Sequence, residues 1–134
     1  MPFTVSVNVD VPDLDQGVAF YCAAFGFAED SRPAPGVAVL GGLNVSLCLL
    51  EKSAGSRPSP KTADRRSYQR HWTPVHLDIE VDDLRSALAR VEALGARREQ
   101  LFEDPEHGSA AFCSDPFGHG FCLIEPAGDA EAAA

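Results

Sequence analysis

The feature that most constrains this chain is that it repeats itself. Residues 4–14 read Thr-Val-Ser-Val-Asn-Val-Asp-Val-Pro-Asp-Leu, and residues 74–84 read Pro-Val-His-Leu-Asp-Ile-Glu-Val-Asp-Asp-Leu. Both stretches alternate apolar and polar residues and then reach Asp-Leu, with Asp13 matching Asp83 at an offset of 70. Alternation with period two marks a strand buried on one face. A chain that writes one pattern twice is expected to fold as two like modules.

Each strand runs into a helical pattern. Leu14, Val18, Tyr21 and Phe25 form one apolar stripe, and Leu84, Leu88, Val91 and Leu94 form its counterpart. Asp13 is placed to cap the first helix, with Gln16 three residues later, and Asp82 or Asp83 to cap the second. Gly26 and Gly95 stand where helices end. Strands are expected next at 36–40 and 43–51 in the first half, split by Gly41-Gly42, and at 110–114 and 119–125 in the second, split by Asp115-Pro116-Phe117-Gly118. Residues 28–36, 52–72 and 99–109 read as loops.

Each half is thus strand, helix and several strands, an α+β unit of about 50 residues. That is too small to bury its own sheet well, so two should share one domain. The expected layout is a single domain over 1–134. Module 1 covers about 3–52, a linker about 53–72 and module 2 about 73–127, with a frayed acidic tail at 128–134. The linker carries Lys52 at its edge and then Arg57, Lys61, Arg65, Arg66 and Arg70; it reads as solvated chain, with a binding loop as the other option.

Alternation also sorts side chains by face. Val5, Val7, Val9 and Val11, and in the repeat Val75, Leu77, Ile79 and Val81, are expected to face the helices. Ser6, Asn8 and Asp10, and His76, Asp78 and Glu80, share the opposite faces. A polar face of this kind meets solvent or lines a wet cavity.

Charge excludes some partners. The 11 basic and 20 acidic residues leave a net charge of −9, which disfavours nucleic acid and anionic membranes and favours a cationic small molecule or metal ion. No apolar stretch is long enough to span a bilayer, and the first residues lack a signal-like core, so a cytoplasmic protein is expected. The four cysteines form no C-x-x-C pair and read as buried thiols.

Several of these pieces, in this order, carry a resemblance. They are Val-Pro-Asp-Leu-Asp at 11–15 followed by Val-Ala-Phe-Tyr at 18–21, Phe25-Gly26-Phe27, and the His76 strand running into Asp82-Asp83-Leu84. The last is Asp-Pro-Phe-Gly-His-Gly-Phe at 115–121, ending at Leu123-Ile124-Glu125. From Phe3 to about Ala127 the chain resembles the vicinal-oxygen-chelate superfamily of glyoxalases, bleomycin-resistance proteins and extradiol dioxygenases. The resemblance implies paired βαβββ modules forming a curved, open barrel-like mixed sheet around a cleft, often in a homodimer.

It also implies metal ligands on the first and last strands of each module. By position these are Ser6, Glu51, His76 and Glu125, with Ser6 standing where metal-dependent members usually have His. A hydroxyl is a poor ligand, so His76, Glu51 and Glu125 form the expected set for a divalent Zn, Ni, Mn or Fe. Glu51 or Glu125 is the candidate proton-transfer base. Ser6, Asn8, Asp10, Asp78 and Glu80 are the expected cleft lining. Three functions follow. The preferred one is a glyoxalase-like, metal-assisted lyase or isomerase acting on a small oxygenated compound. The alternative is a metal-free protein that sequesters an antibiotic in the manner of the bleomycin-resistance proteins. The third is an inactive domain that only assembles with partners.

Overall fold

The computed structural model describes residues 2–128. The chain divides after Tyr68 into two compact units.

The first unit runs β1 (Ser6–Val11), α1 (Leu14–Phe25), β2 (Ala28–Ala34), β3 (Val37–Gly41) and β4 (Ser46–Glu51). Its sheet has the order β1-β4-β3-β2, with β1 parallel to β4 and the other neighbours antiparallel. The second unit runs β5 (Leu77–Glu80), α2 (Leu84–Ala93), β6 (Arg97–Phe102), β7 (Ser109–Ser114) and β8 (Gly120–Glu125). Its sheet order, β5-β8-β7-β6, follows the same plan, with β5 parallel to β8. The chain is therefore α+β, two βαβββ modules written one after the other.

The helix starts form as their sequences require. The Asp13 carboxylate accepts the backbone N–H of Gln16 at 2.9 Å, and the Asp83 carboxylate accepts that of Ser86 at 3.1 Å, each satisfying an orphan donor of the first turn. Helix α1 ends at Gly26, whose φ of 83° is the left-handed cap. Helix α2 ends one residue short of its expected stripe, so Leu94 is left partly exposed while Leu84, Leu88 and Val91 are buried.

In the first unit the helix face of the sheet is Val11, Ala38, Leu40, Leu47 and Leu49, all fully buried, with Leu14, Val18, Phe20 and Tyr21 packed from α1. The second unit buries Ala111, Cys113, Phe121 and Leu123 with Leu84, Leu88 and Val91 of α2. The face assignments hold within the strands, yet Val5 and Val75 precede β1 and β5 and are exposed. Two thiols, Cys113 and Cys122, are buried; Cys22 and Cys48 are only half-buried, and all four are free.

Two regions read as loops are strands. Every residue of β2 is exposed, and β6 has only Leu101 partly covered. Both are edge strands, paired on one side only, so neither needs an apolar face. Pro33 fits in β2 for the same reason: an edge leaves one row of N–H groups unused.

Segment 52–72 is held by specific bonds. Gly55 donates to the Arg66 carbonyl and Arg66 donates back to that of Ser56, both at 2.8 Å. The Arg66 guanidinium reaches the Asp10 carboxylate at 2.7 Å, and the Tyr68 hydroxyl donates to the Lys52 carbonyl at 2.6 Å. Among the described residues, no helix is long and apolar enough to cross a membrane.

Candidate functional site

The second unit gathers the groups that can hold a metal. His76 precedes β5 and Asp78 lies within it, two residues apart, so alternation places both on the face away from α2. Asp78 is the register partner of Cys122 on the parallel strand β8. The ligand atoms of His76, Asp78 and Cys122 all lie within 4.8 Å of one another. The His76 imidazole Nε2 is 3.0 Å from the Asp78 carboxylate. His76 and Asp78 are 47% and 58% exposed, whereas Cys122 is 7% exposed, so the sulfur forms the floor and the other two the rim. Burial first, then the charge and hydrogen bonding of Asp78, pushes the Cys122 thiol up to about 11, with Arg70 pulling the other way.

The donor set fits a divalent ion. A tetrahedral ion with N and O bonds of about 2.0–2.1 Å and an S bond of about 2.3 Å spaces its donors about 3.3–3.6 Å apart. Three groups already within 4.8 Å reach that spacing by small side-chain shifts. With three protein donors, a bound ion would keep a position open for water or a ligand.

Beside this cluster is a cleft of about 340 Å³ lined by residues that include Arg70, Trp72, His76, Glu99, Phe112 and Cys122. Trp72 is 78% exposed, and Phe112 stacks edge-on against Phe102 at 5.6 Å. Strand β6 slips register between Arg98 and Gln100, leaving Glu99 as the extra residue of a bulge. The Arg70 guanidinium grips the Glu99 carboxylate through two hydrogen bonds of 2.7 and 3.1 Å. That pairing holds Glu99 below the usual carboxylate range despite partial burial. Arg70 crosses over Gly120, where a Cβ would stand 2.7 Å from a guanidinium nitrogen, so the bare backbone makes its seat.

The other expected site residues are placed as follows. The Glu125 carboxylate accepts the backbone N–H of Leu84 at 3.0 Å, and the Glu51 carboxylate accepts that of Leu14 at 2.8 Å. Each thus satisfies the start of its own module's helix, where negative charge is favoured. In β8 the buried Leu123 and Glu125 share one face by alternation, and Cys122 shares the other with His76. Glu80 is exposed at the end of β5. In the first unit Ser6 pairs with Ser46 and Asn8 with Cys48 across β1 and β4, and Asp10 is taken by Arg66. Cys122, Glu99 and Phe112 are not among the residues the sequence singles out for a site, and Arg70 is read there with the solvated linker. Counting alternation back from Leu123 would have found Cys122; the bulge that presents Glu99 leaves no mark in the residue pattern.

His119, in the turn before β8, donates its backbone N–H to the buried Asp115 carboxylate at 2.9 Å, as does Phe117 at 2.8 Å. That turn sets where β8 begins, and so where Cys122 falls against Asp78.

Comparison with known proteins agrees with this architecture. The sequence model of the glyoxalase-like domain matches residues 6–124. The chain belongs to that family, within the vicinal-oxygen-chelate superfamily. Among solved structures it is similar to the genomically encoded fosfomycin resistance protein FosX from Listeria monocytogenes, with a TM-score of 0.71 and 17% identity over 100% of this chain and 99% of that one. A mutant of the same FosX complexed with Mn(II) and 1S,2S-dihydroxypropylphosphonic acid matches with a TM-score of 0.67 and 18% identity, over 98% and 94% of the two chains. Lactoylglutathione lyase from Agrobacterium tumefaciens matches with a TM-score of 0.61 and 19% identity, over 92% and 94%. A search of the curated proteins gives no significant match.

Proposed function

We propose that the chain is a glyoxalase-like, metal-assisted lyase or isomerase acting on a small oxygenated compound. The observation that carries this reading is the His76, Asp78 and Cys122 cluster beside a cleft of small-molecule size. The FosX structure with Mn(II) and a dihydroxy phosphonate supports it, since that fold accommodates a divalent ion and a small oxygenated ligand together.

In this reading His76, Asp78 and Cys122 hold the ion. When bound, a divalent cation supplies polarisation of a substrate oxygen, which acidifies a proton on the neighbouring carbon. Glu99, the carboxylate among the residues lining the cleft, receives or returns that proton. Arg70 keeps Glu99 ionised and fixes its direction through the paired hydrogen bonds. Trp72 and Phe112 cover the apolar part of the ligand and thin the water around the polar end. Glu51 and Glu125, the bases expected from the resemblance, each accept a backbone N–H at the start of a helix, and this reading gives the proton transfer to Glu99.

The second reading, sequestration without chemistry, draws on the exposed Trp72, an aromatic face suited to stacking on a flat ligand. Turnover separates the two. The metal-loaded protein is assayed against α-hydroxycarbonyl compounds and thiohemiacetals, with His76→Ala and Glu99→Gln beside it. Conversion lost in both variants supports the enzyme. Ligand binding unchanged in His76→Ala, with no conversion by the wild type, supports sequestration.

A further inference from the structure

We infer that the sulfur of Cys122 makes this a zinc-preferring centre, with manganese a poor occupant. The inference rests on the reading above that His76, Asp78 and Cys122 hold an ion, and it concerns which ion they select.

The argument starts from donor chemistry. Cys122 offers sulfur, His76 nitrogen and Asp78 oxygen, with their ligand atoms within 4.8 Å of one another. Mn²⁺ suits carboxylate, carbonyl and water oxygens, whereas thiolate selects zinc and other thiophilic ions, and zinc already outranks manganese in intrinsic affinity. The relative crystallised with Mn(II) shows that manganese is accommodated in this fold, so the preference inferred here belongs to this chain's own side chains.

Position strengthens the argument. Cys122 lies at the centre of the ladder, opposite Asp78, with Phe112 as its partner on the other neighbouring strand. Both neighbouring strands fix its backbone, which keeps the sulfur on the sheet face that carries His76 and Asp78. Asp78 and His76 stand at the exposed rim, where solvent competes for them as it does not for the buried sulfur. The sulfur is therefore the least dispensable donor. Cys122 binds as the thiolate, its proton passing to solvent as the ion enters.

The test is metal competition and cobalt spectroscopy on the full chain. Apo protein is offered Zn²⁺ and Mn²⁺ together, and the bound metal is counted by mass spectrometry. A second sample is loaded with Co²⁺ and its absorption recorded, with Cys122→Ser and His76→Ala in parallel. The expected result is a single zinc per chain, excluding manganese, and a sulfur-to-cobalt charge-transfer band in the near ultraviolet. In Cys122→Ser the band vanishes and the zinc-to-manganese affinity ratio falls by at least about tenfold, a loss that follows even when groups behind a ligand are removed. The wild-type cobalt spectrum stands alone if Cys122→Ser fails to fold. An ion lost in His76→Ala, but with no sulfur band and no zinc preference, overturns this inference and leaves the metal-assisted reading standing. No ion bound under any condition overturns both.

Discussion

Asp78 faces Cys122 directly across the parallel β5–β8 ladder, and this pairing brings sulfur to the sheet face that carries His76. The matching pair in the first module is Asn8 and Cys48, in the same register of the β1–β4 ladder. There Ser6 stands where His76 does, and Asn8 offers an amide where Asp78 offers a carboxylate. Among the described residues, no His, Cys, Asp and Glu cluster of this kind forms in the first unit. One backbone plan, used twice, brings a His, Cys and Asp cluster together in one copy alone among the described residues.

The glutamates that close the two sheets test the division between support and site. Glu51→Ala and Glu125→Ala each remove the acceptor for a helix N-terminal N–H. Each is expected to cost about 0.5–2 kcal/mol of stability, the range for lost helix caps, read from urea denaturation. Metal uptake by Glu125→Ala should equal that of the wild type. Loss of uptake in a folded Glu125→Ala protein would return that glutamate to the ligand set.

Asp83 links stability to acidity. The hydrogen bond from the Ser86 backbone, and then that from its side chain, holds the Asp83 carboxyl below its ordinary value of 3.8. A folded-state value that is lowered stabilises the protein above the unfolded value, and the gain is lost as pH falls through the lowered one. Asp83→Asn keeps an acceptor that does not titrate. The stability difference between wild type and Asp83→Asn should stay constant near neutrality and shift against the wild type below pH 3.8. Parallel curves down to the acid transition would show that the cap does not titrate this way.

Gly17 sets how closely α1 lies on its sheet. A Cβ there would meet both Val11 methyls at 3.1 Å and a Leu49 methyl at 3.2 Å, and both residues are fully buried. Alanine gains about 1 kcal/mol in helix propensity. Crowding a packed core costs about 1–3 kcal/mol, so Gly17→Ala should be net destabilising by about 0–2 kcal/mol. A rise in melting temperature would mean that α1 can lift without penalty.

Gly120 tests the seat of Arg70. Alanine there would press on the end of a flexible side chain rather than on backbone, so the fold should survive with a change of about 1 kcal/mol or less. Arg70 would be pushed from Glu99, and the Glu99 carboxyl, freed from its main hydrogen bonds, should titrate higher than in the wild type by NMR. An unchanged Glu99 titration would show that Arg70 has room to keep its grip.

Much of this molecule is legible in its sequence. The two alternating stretches revealed the modules, and Asp13, Asp83 and Gly26 revealed helix ends, because caps and periodicity are local physics. Strands β2 and β6 escaped because an edge strand with both faces wet carries no apolar period. Within the candidate site, His76 and Asp78 were visible from their alternation, with Asp78 read as lining rather than as a donor. Cys122 was hidden behind a thiol's ordinary role as a small core residue, while Glu51 and Glu125 entered by position from the family resemblance. Arg70 and Glu99 are 29 residues apart in sequence, and the bulge in β6 that leaves Glu99 unpaired in the ladder has no counterpart in the residue pattern.

The measurement that bears most directly on the whole account is the metal content of untagged wild-type protein beside His76→Ala, by mass spectrometry after equilibration with divalent ions. The account predicts a single ion per wild-type chain and none in the variant, with both folded by circular dichroism. No ion in the wild type, or equal occupancy in His76→Ala, would contradict it.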